Sequence, residues 1–367
     1  MHMPDTEGIP CLLMRGGTSK GALFLASDLP ADPGERDDLL LRIMGSPDPR
    51  QVDGLGGAHP LTSKVAVIAP SPDAGADVDY LFLQVAVDTA LVSSRQNCGN
   101  ILAAVGPFAV ERGLVQPADG HTEVRIRMLN TGSMATARFA TPGGVVDYDD
   151  GPAAGGAVAI DGVPGTAAAI RLNFEGTAGS STGALFPTGR TLDHTEGVDL
   201  TCVDNGMPTV LMRAAALGIT GNEAPADLEA NEDLAQRLAG IRLAAADLMG
   251  MGDVSAATVP KLVLLAPPRA GGAIATRSFL PVRVHTSIGV LGALTVAAGV
   301  LAEGSVGHDL AALPSPGEPF RVEHPTGHFD VEVAIEKTPD GCTVTRSTAL
   351  RTARKIFEGR VFPRPRP

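Results

Sequence analysis

Short apolar runs broken by Gly-rich turns dominate the first third of the chain. Ile9 to Met14 is apolar and ends at Arg15; a polar turn, Gly16-Gly17-Thr18-Ser19-Lys20-Gly21, leads to a second apolar run, Ala22 to Ala26. Runs of this length bounded by turn residues read as strands. Helical spacing appears over Pro33 to Met44, with Asp and Glu near its start. A Gly-rich loop from Asp53 to Pro60 feeds Leu61-Thr62-Ser63-Lys64 and a strand over Val65 to Ala69, and Asp79 to Asp88 alternates as a further strand. Asn97-Cys98-Gly99-Asn100 then opens a helix from about Ile101 to Arg112 that is apolar on nearly every face, the mark of a helix buried on most sides.

Strands are expected again at Glu123–Asn130, Ala135–Ala140, Val145–Tyr148 and Ala169–Phe174. A second half starts near Ala184. Its strands at Thr201–Val203 and Thr209–Arg213 flank the turn Asp204-Asn205-Gly206-Met207-Pro208, and a charged helix runs from about Asn231 to Met249. Strands at Lys261–Ala266 and Ala273–Phe279 lead to His285-Thr286-Ser287, which are expected to cap a second all-apolar helix ending near Leu301. Strands at Phe320–His324, Phe329–Ile335 and Cys342–Ser347 follow, then a short basic tail helix from Leu350 to Glu358. The halves, 1–184 and 185–367, rhyme: strands, a polar loop, an all-apolar helix, more strands. A helix apolar all round needs a wrapper, so each half reads as an α+β unit with a sheet curled around a central helix, and two such units side by side would leave a cleft.

Composition narrows the function. Gly and Pro, 44 and 29 of 367 residues, stay below the roughly 25–30% of a low-complexity chain. A net charge of −12 disfavours nucleic acid and anionic membranes as partners, and with aromatics at 4% a base-stacking surface is not expected. The four cysteines are far apart with no C-x-x-C, and the start, MHMPDTEGIP, has no basic and apolar leader pattern; together they suggest a reducing cytoplasm. Ile288 to Ala302 is too short for a membrane span of about 20 residues.

Several motifs carry candidate chemistry. The Gly16–Gly21 turn lacks the P-loop order and reads either as a backbone nest for an anion or as an ordinary hairpin turn. Gly179-Ser180-Ser181-Thr182-Gly183 has the G-x-S-x-G pattern of hydrolases, but Phe186-Pro187-Thr188-Gly189 follows where that motif needs a helix, so a hydroxyl-rich anion-binding or turn loop is favoured. No metal-ligand spacing and no dinucleotide fingerprint stand out, so neither a metal nor a cofactor is expected. Cys98 begins a buried helix inside a collar of two asparagines; the helix terminus favours its thiolate, against the plain reading of a small buried hydrophobe. Lys64 starts a strand among hydroxyls and glycines. Burial, or a nearby cation such as Arg15, would favour the neutral amine that can take a proton; the plain reading is a solvent-exposed strand-end lysine. Two helix N-termini at one cleft would hold carboxylates, with Arg277 and Arg283 as further partners.

Taken together, Met14 to Gly21, Gly56-Gly57, Leu61 to Lys64, Asn97 to Asn100, Val203 to Pro208, Val259-Pro260-Lys261 and His285 to Ala293 resemble the PrpF family over nearly the whole chain. Within it the chain is most similar to the 4-oxalomesaconate tautomerases and Δ-isomerases of bacterial aromatic-compound (gallate and protocatechuate) breakdown. The resemblance implies the diaminopimelate epimerase-like fold, two pseudo-equivalent halves with the site between them, no cofactor, a small polycarboxylate substrate and a homodimer. It also implies that Lys64 and Cys98 are the catalytic pair, and that the second cysteine of the two-thiol epimerases is replaced at Thr286 or Ser287. Asn97, Gly99, Asn100, Thr18, Ser19, Ser63, Ser180, Ser181, Asn205, Met207 and Ser287 are then expected to bind carboxylates and the enolate, with Arg15, Lys261, Arg277 and His285 as charge partners. The alternatives are an isomerase of 2-methylaconitate, aconitate or methylitaconate, a racemase of the same fold, a hydrolase using Ser181, and a non-catalytic binding protein.

Overall fold

The computed structural model describes residues 8–94, 97–149, 157–255, 257–280, 283–315, 318–338 and 341–366. Residues 1–7, read above for a leader, lie outside them. In chain order the first elements are β1 (Ile9–Gly16), β2 (Ser19–Leu25), α1 (Pro33–Met44), β3 (Lys64–Pro70), β4 (Val78–Val85), β5 (Val92–Ser93), α2 (Gly99–Glu111), β6 (Gly120–Met128) and β7 (Ser133–Thr141). They are followed by β8 (Ala157–Val158), β9 (Ala167–Ala168), β10 (Ile170–Glu175), β11 (Asp193–Thr195), β12 (Val198–Val203), β13 (Thr209–Arg213), α3 (Pro225–Glu229) and α4 (Glu232–Leu248). The chain closes with β14 (Lys261–Ala266), β15 (Ile274–Phe279), α5 (Val290–Leu301), β16 (Phe320–His324), β17 (Gly327–Thr338), β18 (Gly341–Arg351) and β19 (Ala353–Val361). The chain divides into two compact units: residues up to Leu172 together with the tail from Leu350, and Asn173–Ala349.

In the N-terminal unit, β1 pairs antiparallel with β2, β2 runs parallel to β3, β3 is antiparallel to β4, β4 is parallel to β6, and β6 is antiparallel to β7. Side chains alternate between the faces of this sheet. Ala22, Phe24, Val65, Val67, Leu83 and Val85 meet Leu39, Leu40, Ile43 and Met44 of α1 on one face. The other face wraps α2, which packs against β1, β2, β3, β4, β6, β7 and β19, with Ile101, Leu102, Val105 and Phe108 fully buried. An apolar helix thus finds its wrapper, as its sequence requires.

The C-terminal unit repeats the plan. β12–β13 is antiparallel, β13–β14 parallel, β14–β15 antiparallel, β15–β16 parallel and β16–β17 antiparallel. α4 covers one face through Leu234, Leu238, Ile241 and Ala245, and α5 packs against β12, β13, β16 and β17 on the other. The expected α+β class and the duplicated sheet-around-helix plan are therefore borne out.

Three expected elements differ. The tail from Leu350 to Glu358 is no helix: Ala353–Val361 form β19, paired antiparallel with β1 from Ile9↔Val361 to Gly16↔Ala353. Arg354, Glu358 and Arg360 are exposed on this strand, and such charges suit a strand that borders a sheet as well as a helix. Val145–Tyr148 forms no strand, because Pro142–Gly144 coil into a short 3-10 turn with Gly143 at φ 62 and Gly144 at φ 78. Finally, the second apolar helix starts at Val290 with Gly289 as its cap, not at Ser287. The Ser287 amide is turned instead onto Nδ1 of His285 at 3.0 Å.

Candidate active site

The N-terminal unit gathers its polar groups where the α2-facing side of the sheet meets the start of α2. Cys98 is the N-cap, in extended conformation, and no side chain caps the first amides of the helix. These N–H groups and the helix dipole favour negative charge at the tip. The β1–β2 turn presses on this tip. An added Cβ at Gly16 would overlap the Asn100 carbonyl, and one at Gly17 the Asn100 side chain, so only glycine admits the approach. The turn is a hairpin by its backbone, and its Gly17 amide donates to the Thr352 carbonyl at 2.8 Å.

Thr18 Oγ1 accepts a 3.1 Å bond from Asn100 Nδ2, while Asn97 Nδ2 donates to Thr131 Oγ1 at 2.7 Å. Ser19 Oγ, Asn97 Oδ1 and Asn100 Oδ1 are buried with no protein partner, an unusual concentration of unanswered polar atoms around one helix end.

Lys64 opens β3 on the α2-facing side, since its alternates Val65 and Val67 face α1. It is 6% exposed, so the plain reading of a solvated lysine fails. Nζ donates to Gln84 Oε1 at 2.6 Å and lies 5.1 Å from the centre of the Phe82 ring. Tyr80, Phe82 and Gln84 share that face of β4 by the strand's two-residue period. Tyr80, fully buried, directs its hydroxyl at the Cys98 carbonyl at 3.4 Å; burial first, and the Cys98 thiol second, push its phenol well above the usual range. One face of one strand therefore reaches both Lys64 and Cys98. None of Tyr80, Phe82 and Gln84 was singled out from sequence, because their roles depend on the β3–β4 register.

Other expected ligands stand elsewhere. Arg15 pairs with Lys20 across the hairpin, and the alternation puts both on the α1-facing side. Its Nη1 is held by Gly17 O, Thr352 O and Thr352 Oγ1 at 3.0, 3.1 and 2.8 Å, and burial holds the guanidinium below its ordinary range. Arg15 clamps the hairpin to the tail. Ser63 Oγ is taken by Gln51 Nε2 at 2.7 Å.

In the C-terminal unit Lys261 opens β14 as Lys64 opens β3, and it alternates with Leu262 and Leu264 of the α4-facing core, so it lies on the α5-facing side. Burial and then Arg242 lower the basicity of its amine, and burial and then Lys261 lower that of His285. The His285 Nδ1 accepts the Ser287 amide, leaving Nε2 to carry the proton. Ser287 Oγ stands 3.2 Å from His324 Nε2, and the Thr286 carbonyl accepts from Thr326 Oγ1 at 2.8 Å. Lys261, His285 and Ser287 are thus neighbours.

Arg277 is on the opposite, α4-facing side with Phe279; its Nε donates to Glu223 O and its Nη1 to Thr276 O, both at 2.9 Å. Asn205 is fully buried with its amide already engaged: Oδ1 accepts from Thr177 at 2.6 Å and Nδ2 donates to Leu294 O and Ser347 Oγ at 3.2 Å. The Met207 carbonyl accepts from Thr209 Oγ1 at 2.7 Å. Ser180 and Ser181 are exposed on a loop whose amides already have an anion, since Asp204 Oδ2 accepts from Ser181 N and Thr182 N at 2.8 and 3.0 Å. That loop is a turn built on Asp204, with no helix behind it.

Among the described residues no group of three or more His, Cys, Asp or Glu is placed to hold a metal ion, and no helix is long and apolar enough to cross a membrane.

The PrpF protein family model matches residues 6–364. The chain is 53% identical over 98% of both sequences to the (4E)-oxalomesaconate Delta-isomerase of Novosphingobium sp. (strain KA1). It is 54% identical to the 4-oxalomesaconate tautomerase of Pseudomonas putida, over 96% of this chain and 95% of that one. A crystal structure of a methylitaconate-delta-isomerase superposes with a TM-score of 0.87 at 33% identity, covering 98% of this chain and 96% of that one. A hydroxyproline epimerase from Agrobacterium vitis shares the fold, with a TM-score of 0.52 at 17% identity over 97% and 93% of the two chains. With a family match nearly end to end and relatives above half identity, the chain belongs to the PrpF family and is an isomerase.

Proposed function

We propose that the chain isomerises 4-oxalomesaconate, or a close unsaturated polycarboxylate, by proton transfer at carbon without a cofactor, giving a keto–enol or allylic isomer. The observation that carries this is that one face of β4 touches both residues, Gln84 the Lys64 amine and Tyr80 the Cys98 carbonyl, with an uncapped helix N-terminus starting at Cys98. The chemistry balances within the substrate. A C–H bond next to or vinylogous to the carbonyl breaks, its electron pair becomes the new C=C bond, and the old π pair takes a proton at its far end. Lys64 removes or returns the carbon proton and Cys98 serves the other terminus. The amides of Gly99 and Asn100 at the helix tip, with Thr18 and Ser19 of the adjoining turn, hold a carboxylate or the dienolate oxygen, where developing negative charge is stabilised without reorganisation. Lys261, His285 and Ser287 are the polar residues of the C-terminal unit best suited to bind a carboxylate.

Proton NMR of 4-oxalomesaconate in D2O tests the reading. The wild type is expected to wash deuterium into carbon and shift the isomer ratio, and Lys64→Ala to do neither; a wild type that leaves both unchanged ends the assignment for this substrate. The likeness to a methylitaconate-delta-isomerase structure supports a second reading, that substrate class instead, and methylitaconate, 2-methylaconitate and aconitate belong in the same experiment. A homodimer, implied by the family, is tested by sedimentation of the purified chain.

A further inference from the structure

We propose that Gln84 is the positioning residue that aims the Lys64 amine. This rests on the reading of Lys64 as the proton carrier and adds the group that fixes its direction. A lysine amine on four methylenes has no preferred aim of its own. Here β3 and β4 pair Lys64 directly with Gln84, so the two side chains project side by side from the same sheet face. The Gln84 amide has one available orientation. Its Nε2 meets the carbonyl oxygens of Ser63 at 2.9 Å and Pro60 at 3.1 Å, which can only accept. The NH2 group must face them, and Oε1 must face Nζ, which in either protonation state has N–H to give. A reversed amide would set oxygen against two carbonyls.

The consequence for the amine is directional. In the neutral form Nζ has two N–H bonds and one lone pair. Holding one N–H on Oε1 at 2.6 Å, with the Phe82 ring closing another side at 5.1 Å, restricts where the lone pair can point. The Pro60–Thr62 turn that supplies one of the carbonyls is thereby tied to the aim of the base.

The test uses Gln84→Met, which keeps length and removes both polar atoms, and Gln84→Glu, which keeps the acceptor facing Nζ, gives up the N–H bonds to Ser63 O and Pro60 O, and adds charge. Both are read by the pH dependence of kcat and KM and by the side-chain 15N resonance of Lys64 in lysine-labelled protein. Gln84→Met is expected to lower kcat by roughly 10- to 100-fold with KM within about threefold of wild type, the pattern of a misaimed group rather than lost binding. Gln84→Glu is expected to move the acidic limb of the kcat/KM profile to higher pH by about one unit, since an adjacent carboxylate favours the ammonium. Both variants should shift the Lys64 resonance. A kcat for Gln84→Met within about twofold of wild type, or an unmoved limb with an unmoved resonance in Gln84→Glu, overturns the proposal. If Gln84→Met does not fold, the limb and resonance of Gln84→Glu decide. Should Lys64→Ala keep full activity, the catalytic reading of Lys64 fails, while the resonance still reports whether Gln84 holds the amine.

Discussion

Gly289 holds in the C-terminal unit the helix-capping place that Cys98 holds in the N-terminal unit. The second turn confirms the match, because Gly206, at φ 90, lies against Leu291 of α5 much as Gly17, at φ 51, lies against Asn100 of α2. The family resemblance implies that the second thiol of the two-thiol epimerases is replaced at Thr286 or Ser287; neither of these caps α5, whose cap is Gly289. With one capping thiol the two-base chemistry of a racemase has no second cysteine. The protein is accordingly expected to leave proline and other amino-acid enantiomers unchanged in chiral chromatography, and Gly289→Cys is not expected to rescue Cys98→Ala. Appearance of the opposite enantiomer with wild-type protein would contradict this.

Thiol labelling should discriminate sharply among the four cysteines. Cys11 and Cys202 are buried, and burial pushes both thiols up to about 12. Cys98 and Cys342 are half-buried. Iodoacetamide at neutral pH is expected to modify Cys98 and Cys342 and spare the other two, with loss of activity following Cys98 in peptide mass spectrometry. Cys98→Ser should lower kcat by about 10²- to 10⁴-fold, the range of a lost acid–base group, with an unchanged melting temperature.

Asn205 and Ser181 separate structure from chemistry. Asn205→Ala leaves the buried Thr177 and Ser347 hydroxyls without their amide partner and removes a second donor from the Leu294 carbonyl, and is expected to cost about 2–3 kcal/mol in denaturant unfolding. Ser181→Ala removes an exposed hydroxyl and should leave kcat within about twofold of wild type, as surface changes usually do. Labelling of Ser181 by a fluorophosphonate with loss of activity would restore the hydrolase alternative.

Stability should carry the mark of His285. Burial and Lys261 hold its pKa below the 6.5 of the free side chain. Between the two values the unfolded chain binds the proton that the folded chain refuses, so stability falls as pH drops below 6.5 and levels off once the folded value is passed. His285→Gln is expected to flatten this part of the curve of unfolding free energy against pH; an identical slope in both proteins would refute it.

The central helices were legible because nothing else explains a helix apolar on every face, and Cys98 because a polar collar at such a helix start is conspicuous. What escaped depended on pairing register or on distant partners. Arg15 and Arg277 are cations in promising segments, but strand alternation turns each to the face away from its central helix. The Ser181 and Thr182 amides do form an anion nest, yet its occupant is Asp204, more than twenty residues on in sequence. Gln84 is an unremarkable residue until β3 lies beside β4.

The tail strand has a consequence for the order in which the protein can be made. β1 leaves the ribosome well before β19, the strand that completes its outer edge. The Asn173–Ala349 unit has all its strands before translation reaches β19, whereas the unit bearing Lys64 and Cys98 does not. The proposed catalytic half is thus begun before the other unit and completed after it, and a nascent chain halted before Ala353 would carry a bare β1 edge open to misplaced pairing.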